Sequence, residues 1–166
     1  MRFRVILIFL FLLAGSALAQ DKTERVKGRG VYAELFGNGI LYSFNYDQRF
    51  EQRLDGLGFR VGASYVAVDG DGVATFPVGL NYLLGKNGKY FELGVGGTYG
   101  IGFDSSNTFA SGDDRTTDDE FIGTMTIGYR REPTDGGFLF RVALTPFFGN
   151  GVFWPFFAGV SFGYAF

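Results

Sequence analysis

The sequence predicts an all-β fold, an eight-stranded antiparallel up-and-down transmembrane β-barrel, and three observations lead there. Large apolar or aromatic residues alternate with Gly, Ser, Thr and Ala over most of the chain, the period-2 signature of strands whose successive side chains point to opposite faces. Composition agrees: 27 Gly, 21 Phe and 9 Tyr in 166 residues suit a membrane barrel better than a helical enzyme. Compact clusters of Gly, Asp and Asn punctuate the alternating runs at hairpin spacing.

The chain opens with Arg2 and Arg4, an apolar run from Val5 to Leu13, and Ala14-Gly15-Ser16-Ala17-Leu18-Ala19. A charged head, an apolar core and an A-x-A site read as an export signal. The run falls short of the about 20 apolar residues that a spanning helix needs. Residues 1–19 are therefore expected to be removed and 20–166 to form the barrel domain. Those 147 residues carry 13 basic and 17 acidic side chains. The length suits one domain, and the slight acidity makes no electrostatic case for nucleic acid. With no Cys in the chain, disulfides, thiolate chemistry and a lipoprotein anchor are not expected.

Strands are predicted at 29–37, 39–51, 57–68, 73–84, 89–103, 120–131, 137–148 and 155–166. An even number brings both ends of the domain to one side. The connections sort into two sets. Residues 52–56, 85–88 and 132–136 are compact turns placed on the periplasmic side, while Gly37-Asn38-Gly39, 69–72, 104–119 and Gly149-Asn150-Gly151 face outward, the third alone being long. Pro77, Pro146 and Pro155 are expected near strand ends, where a missing N–H is tolerated.

Which face meets solvent decides between a soluble lipocalin-like barrel and a lipid-facing one. In the fifth strand Phe91, Leu93, Val95, Tyr99, Ile101 and Phe103 oppose Glu92, Gly94, Gly96, Thr98, Gly100 and Gly102. The third and seventh strands repeat the pattern, with Gly58, Arg60, Gly62 and Ser64, and Leu139, Arg141, Ala143 and Thr145, on their slimmer faces. A soluble barrel would show more Lys and Glu there, so the small, sparsely charged face is assigned to a crowded lumen. The aromatic face is assigned to lipid. Strands cross a bilayer only as a closed barrel, because each unpaired backbone group in hydrocarbon costs several kcal/mol. An eight-stranded interior is narrow and generally filled by side chains, which argues against a porin-like channel.

Parity places Glu34, Asp47, Arg60, Glu92 and Arg141 in the lumen as a candidate polar network, paired because unpaired buried charge is expensive. Its structural reading is a plug; its functional reading is a gated pore or ligand site. Tyr42, Tyr46, Tyr82, Tyr90, Tyr129, Trp154 and Tyr164 are candidates for interfacial girdles. Phe147, Phe148, Phe153, Phe156 and Phe157 crowd the last outer turn, where lipid contact is the simplest reading. Asp113, Asp114, Asp118 and Asp119 in the long loop are weak Ca²⁺ candidates: their hard oxygens suit the ion, but their spacing does not match an EF-hand.

The final residues, Gly159-Val160-Ser161-Phe162-Gly163-Tyr164-Ala165-Phe166, resemble the C-terminal strand of gram-negative outer-membrane β-barrels, which commonly ends in Phe after alternating aromatics. In pattern the chain is similar to the small barrels OmpX and the OmpA transmembrane domain. The resemblance implies that Phe162, Tyr164 and Phe166 form an assembly signal for the barrel-assembly machinery. It implies outer-membrane localisation after export through the periplasm, with membrane lipids and lipopolysaccharide as partners of a monomer. Unlike full-length OmpA, no peptidoglycan-binding domain is expected after the barrel, so cell-wall tethering is not implied, and unlike OmpX most outer loops are short.

Absences narrow the chemistry. Without His, a Ser-His-Asp triad and a histidine base are impossible, so the resemblance does not extend to outer-membrane acyl hydrolases, palmitoyltransferases or omptin-type proteases that rely on one. No carboxylate pair is fixed by a motif, and no cofactor is expected. The expected function is structural or surface-interacting rather than enzymatic. The alternatives are a small-solute or lipid-binding channel and a soluble periplasmic ligand-binding barrel.

Overall fold

The computed structural model describes residues 25–68, 71–103, 119–149 and 151–166. The predicted export segment lies outside them, as do Asp113, Asp114 and Asp118. The strands are β1 (Arg29–Phe36), β2 (Tyr42–Arg49), β3 (Gly56–Val68), β4 (Asp71–Lys86), β5 (Lys89–Phe103), β6 (Asp119–Arg131), β7 (Gly137–Leu144), β8 (Phe147–Gly149), β9 (Val152–Trp154) and β10 (Ala158–Ala165). Their order is β5-β4-β3-β2-β1-β10-β7-β6-β8-β9, and a β5–β6 ladder closes the ring.

These ten segments make eight staves. β8 continues β7 in the same register against β6, since Ile127 faces Leu144 and Thr124 faces Phe147. Pro146 interrupts the ladder because it has no N–H to give, yet its carbonyl still accepts from the Met125 amide at 2.8 Å. β9 and β10 form the eighth stave, broken by a bulge. The Thr145 amide donates to the Phe157 carbonyl at 2.7 Å, while Phe147 already faces Trp154. Pro155 and Phe156 therefore oppose Pro146 alone, an extra residue that bends the strand.

Side-chain parity sorts the two surfaces. Every strand places large apolar groups outward, among them Phe44 at 67%, Val95 at 57% and Phe138 at 61% exposure. The inward positions are polar or small: Glu34, Asp47, Arg49, Glu92, Arg130, Arg141 and Ser161 are all essentially inaccessible. Oil faces out and charge faces in, the reverse of a soluble ligand-binding barrel. The apolar lumen cluster is small, comprising Tyr32, Leu139 and Ala165.

Glycine supplies the room for this lumen. A Cβ on Gly58 would strike the Arg49 guanidinium and lie 2.5 Å from the Gln48 carbonyl. On the outer face the glycines are roofed instead: the Phe121 ring covers Gly97 and the Phe148 ring covers Gly123, restoring packing where the strand has no side chain.

Three sequence expectations are corrected. The first outer turn does not project: Gly37–Gly39 form a 3-10 turn that dips into the barrel with all three residues buried, so the second strand starts at Tyr42 and not at 39. Positive φ at Phe36 (58°), Gly37 (73°) and Ile40 (73°) reverses the chain inward. Pro77 sits in mid-strand within β4, and the β3–β4 pairing lapses opposite it, at Gly62–Ala63. Tyr90 belongs to no girdle, because its even position in β5 turns it inward, where it is buried.

Candidate functional site

The lumen is the one place where chemistry-bearing side chains converge among the described residues. Adjacent staves bring inward residues face to face: Glu34 opposes both Ser43 and Ser161, Asp47 opposes Arg60, and Arg130 opposes Arg141. Directly opposed side chains on one face are near neighbours, so the sheet register itself assembles the network.

Arg141 is its hub. Its Nη1 donates to Glu34 Oε1 at 2.5 Å and its Nε to Glu92 Oε2 at 2.8 Å, and its guanidinium lies 6.0 Å from the Tyr32 ring centroid. Arg60 reaches Glu34 at 3.7 Å and presses against the Asn38 amide of the inturned turn. Asn81 links the halves, donating to Asp47 Oδ2 at 2.6 Å and to Glu92 Oε1 at 3.3 Å. Asp47 also pairs with Arg49 at 2.6 Å and Arg130 at 3.1 Å. From there Glu132 joins Arg130 at 2.7 Å to Arg25 at 2.6 Å, at the end nearest the termini.

All five residues selected by parity, Glu34, Asp47, Arg60, Glu92 and Arg141, are thus brought together. Four further charges, Arg25, Arg49, Arg130 and Glu132, and Asn81 were missed. For Arg49 and Arg130 the signal was present, since each shares the inward parity of its strand. Arg25 and Glu132 flank strands, where parity says nothing. Five arginines then face four carboxylates, and Arg130 Nη1, Arg141 Nη2 and the Tyr32 hydroxyl have no protein partner. Between Asn38, Arg60, Asn81, Glu92 and Thr126 remains a void of about 10 Å³, about one water in size. The inturned turn closes the other side, with Thr98 Oγ1 donating to the Asn38 carbonyl at 2.5 Å.

Comparison with known proteins bears on the fold. No family model and no curated protein matches the chain at sequence level. The crystal structure of the N-terminal β-barrel domain of Pseudomonas aeruginosa OprF matches with a TM-score of 0.57, covering 86% of this chain and 98% of that one at 10% identity. The fold is that of the OprF barrel. The chain is accordingly a closed eight-stranded antiparallel β-barrel. At that identity the likeness to OprF carries architecture and not the lumen's residues or role.

The C-terminal residues lie on the lipid-type surface. Phe162 and Phe166 are exposed outward, with the Phe162 ring 5.6 Å from Phe140 and 6.3 Å from Phe138. Tyr164 shares their parity, opposite Val31 and Phe138. The Phe166 amide donates to the Arg29 carbonyl at 3.0 Å, so the last residue still pairs with the first strand. Near the last outer turn the aromatics divide. Phe147, Trp154 and Phe157 share the inner register and pack with centroids 6.1 and 5.3 Å apart, although Trp154, like Phe148, Phe153 and Phe156, is exposed. Lipid contact therefore suits only part of that cluster. Asp119 begins β6 opposite Ile101, and no group of three potential metal ligands occurs among the described residues.

Proposed function

We propose that the chain is an integral outer-membrane protein whose sealed barrel serves a structural or surface-interaction role without catalysis. The observation that carries this reading is the inversion of polarity: ion pairs fill the lumen while large apolar side chains cover every strand's outer face. In water such a surface would drive aggregation, and in a bilayer it is the ordinary exterior of a closed barrel. The OprF-like fold supports the location. Phe162, Tyr164 and Phe166 serve as the assembly signal, lipids and lipopolysaccharide surround a monomer, and the chain reaches the membrane through the periplasm.

The test is envelope fractionation followed by electrophoresis with and without boiling. A heat-modifiable band in the outer-membrane fraction is expected, and a soluble periplasmic band without a heat shift overturns the reading. The one-water void favours a plug over the small-solute channel. Planar-bilayer recordings are expected to be silent, and steady unitary conductance would replace the sealed barrel with the channel.

A further inference from the structure

The barrel wall is not equally tall all round. Toward the end opposite the termini, β3 continues through residues 64–68 with β4 as its partner, although its pairing with β2 stops at Ala63 opposite Phe44. On the far side of the short strands, β9 turns away with β8 and pairs with no other strand among the described residues. Between these two edges β1 and β2 end in the inturned turn, so among the described residues the wall above them has a sideways gap. The Tyr42 hydroxyl donates to the Tyr65 carbonyl, tying the β3 edge to the foot of this gap.

Behind the gap lies a cavity of about 220 Å³ lined by Ile40, Val73, Thr75, Thr98, Gly100 and Ile122, with Glu120 as its one charged lining residue among those described. Its hydroxyls are already engaged: Thr75 Oγ1 lies 2.6 Å from Ser64 Oγ, and Thr98 donates to the Asn38 carbonyl. What remains for an occupant is chiefly hydrocarbon. The volume falls below the about 300–1,000 Å³ of sites for drug-sized molecules, so a slim flexible chain fits better than a ring system.

Continuity indicates the source. Ile40 lines the cavity and is also 42% exposed, flanked by exposed Phe36 and Leu41 at the foot of the gap. Below them, exposed Leu35 and Phe44 belong to the outer apolar belt. An unbroken apolar path therefore runs from the lipid-facing surface, over the ends of β1 and β2, into the cavity. We propose that this cavity seats one alkyl chain of a membrane amphiphile, admitted sideways through the gap above β1 and β2. The inference rests on the membrane reading and adds to it a specific ligand class and an entry route.

Gly100 provides the test. Among the described residues a Cβ there would meet nothing closer than the Glu120 carbonyl at 3.7 Å, so Gly100→Leu starts its side chain into the cavity without a Cβ clash. Full-length mature protein in dimyristoylphosphatidylcholine vesicles is irradiated with a monoacyl phosphocholine carrying a diazirine on its tail, and the label is mapped by peptide mass spectrometry. Label is expected on Val73 and Ile122 inside and on Phe44 and Leu80 outside. Gly100→Leu should abolish the inner label and leave the outer label intact. Outer label alone in the wild-type protein, or inner label unchanged in Gly100→Leu, overturns the proposal. Loss of the outer label as well would instead count against membrane insertion. Ile40→Asp serves if Gly100→Leu fails to fold, because it sets a carboxylate where the alkyl chain must lie; inner label that survives it would likewise overturn the proposal.

Discussion

Replacing Arg141 with Met separates pairing from net charge as the source of lumen stability. Five buried arginines against four buried carboxylates leave the described lumen one positive charge in excess. On net charge alone, Arg141→Met removes that excess and should stabilise the barrel. The geometry demands the opposite. Arg141 holds Glu34 at 2.5 Å and Glu92 at 2.8 Å; without it Glu92 keeps Asn81 at 3.3 Å, and Glu34 keeps Ser43 at 3.4 Å and Arg60 at 3.7 Å. Breaking one buried pair costs about 3–5 kcal/mol. Two carboxylates that lose their nearest cation to one substitution put the cost at the upper end, about 5 kcal/mol. With an m-value of about 1–3 kcal/mol/M, the urea midpoint falls by about 2–5 M. The assay is urea unfolding of vesicle-reconstituted protein. The triple variant Arg141→Met, Glu34→Gln, Glu92→Gln should recover part of the loss, because no buried carboxylate is then left without a cation, while Arg60, which loses Glu34 as its ion-pair partner, limits the recovery. A single variant as stable as the wild type, or a triple variant as unstable as the single one, would refute this reasoning.

Gly58→Val should destabilise by about 1–3 kcal/mol, read as a lower temperature for loss of the heat-modifiable band, because its Cβ collides with Arg49 and the Gln48 carbonyl. Phe166→Ala should still give a folded barrel in detergent, since that ring is exposed, but should slow insertion in cells; a pulse-chase rate equal to wild type would remove its signalling role. In the terminal-side turn, the hydrogen bond from Arg53 at 2.6 Å holds the Asp55 carboxyl below its usual range. A depressed pKa means that this pair's contribution is present above about pH 4 and lost as pH falls through the folded value; in an exposed turn it is small. NMR titration should show Arg53→Ala returning Asp55 to the ordinary carboxylate range.

The strand faces were legible because parity depends only on the local two-residue repeat: β5 spans the residues expected of it, and the five lumen charges chosen by parity meet in one network. What escaped depends on contacts distant in sequence. Gly37-Asn38-Gly39 looks like any hairpin turn, and contacts with Thr75, Thr98 and Thr126, distant in sequence, explain why it folds inward. Pro77 suggests a strand end by its own chemistry, but the β5 pairing through Thr98 carries β4 past it. The Pro155–Phe156 bulge is a mismatch between two registers, visible only once both are known. Glu132 reads as part of a turn until the Arg25 and Arg130 guanidinium groups are seen beside it.

On the membrane reading proposed above, the uneven wall has a consequence for the bilayer itself. β1 and β2 have 8 residues each, against 15 in β5. At about 3.4 Å per residue and a tilt of about 40°, these stand about 21 Å and about 39 Å tall. The apolar band of such barrels is about 25 Å, so the bilayer must thin beside β1 and β2 but not beside β5. Hydrophobic mismatch costs fractions of a kcal/mol per Å, enough to gather shorter or more disordered lipid tails along one flank. The molecule then carries a bearing in the membrane plane, with a thin side and a thick side, and neighbours that prefer thin bilayer will collect at one of its flanks.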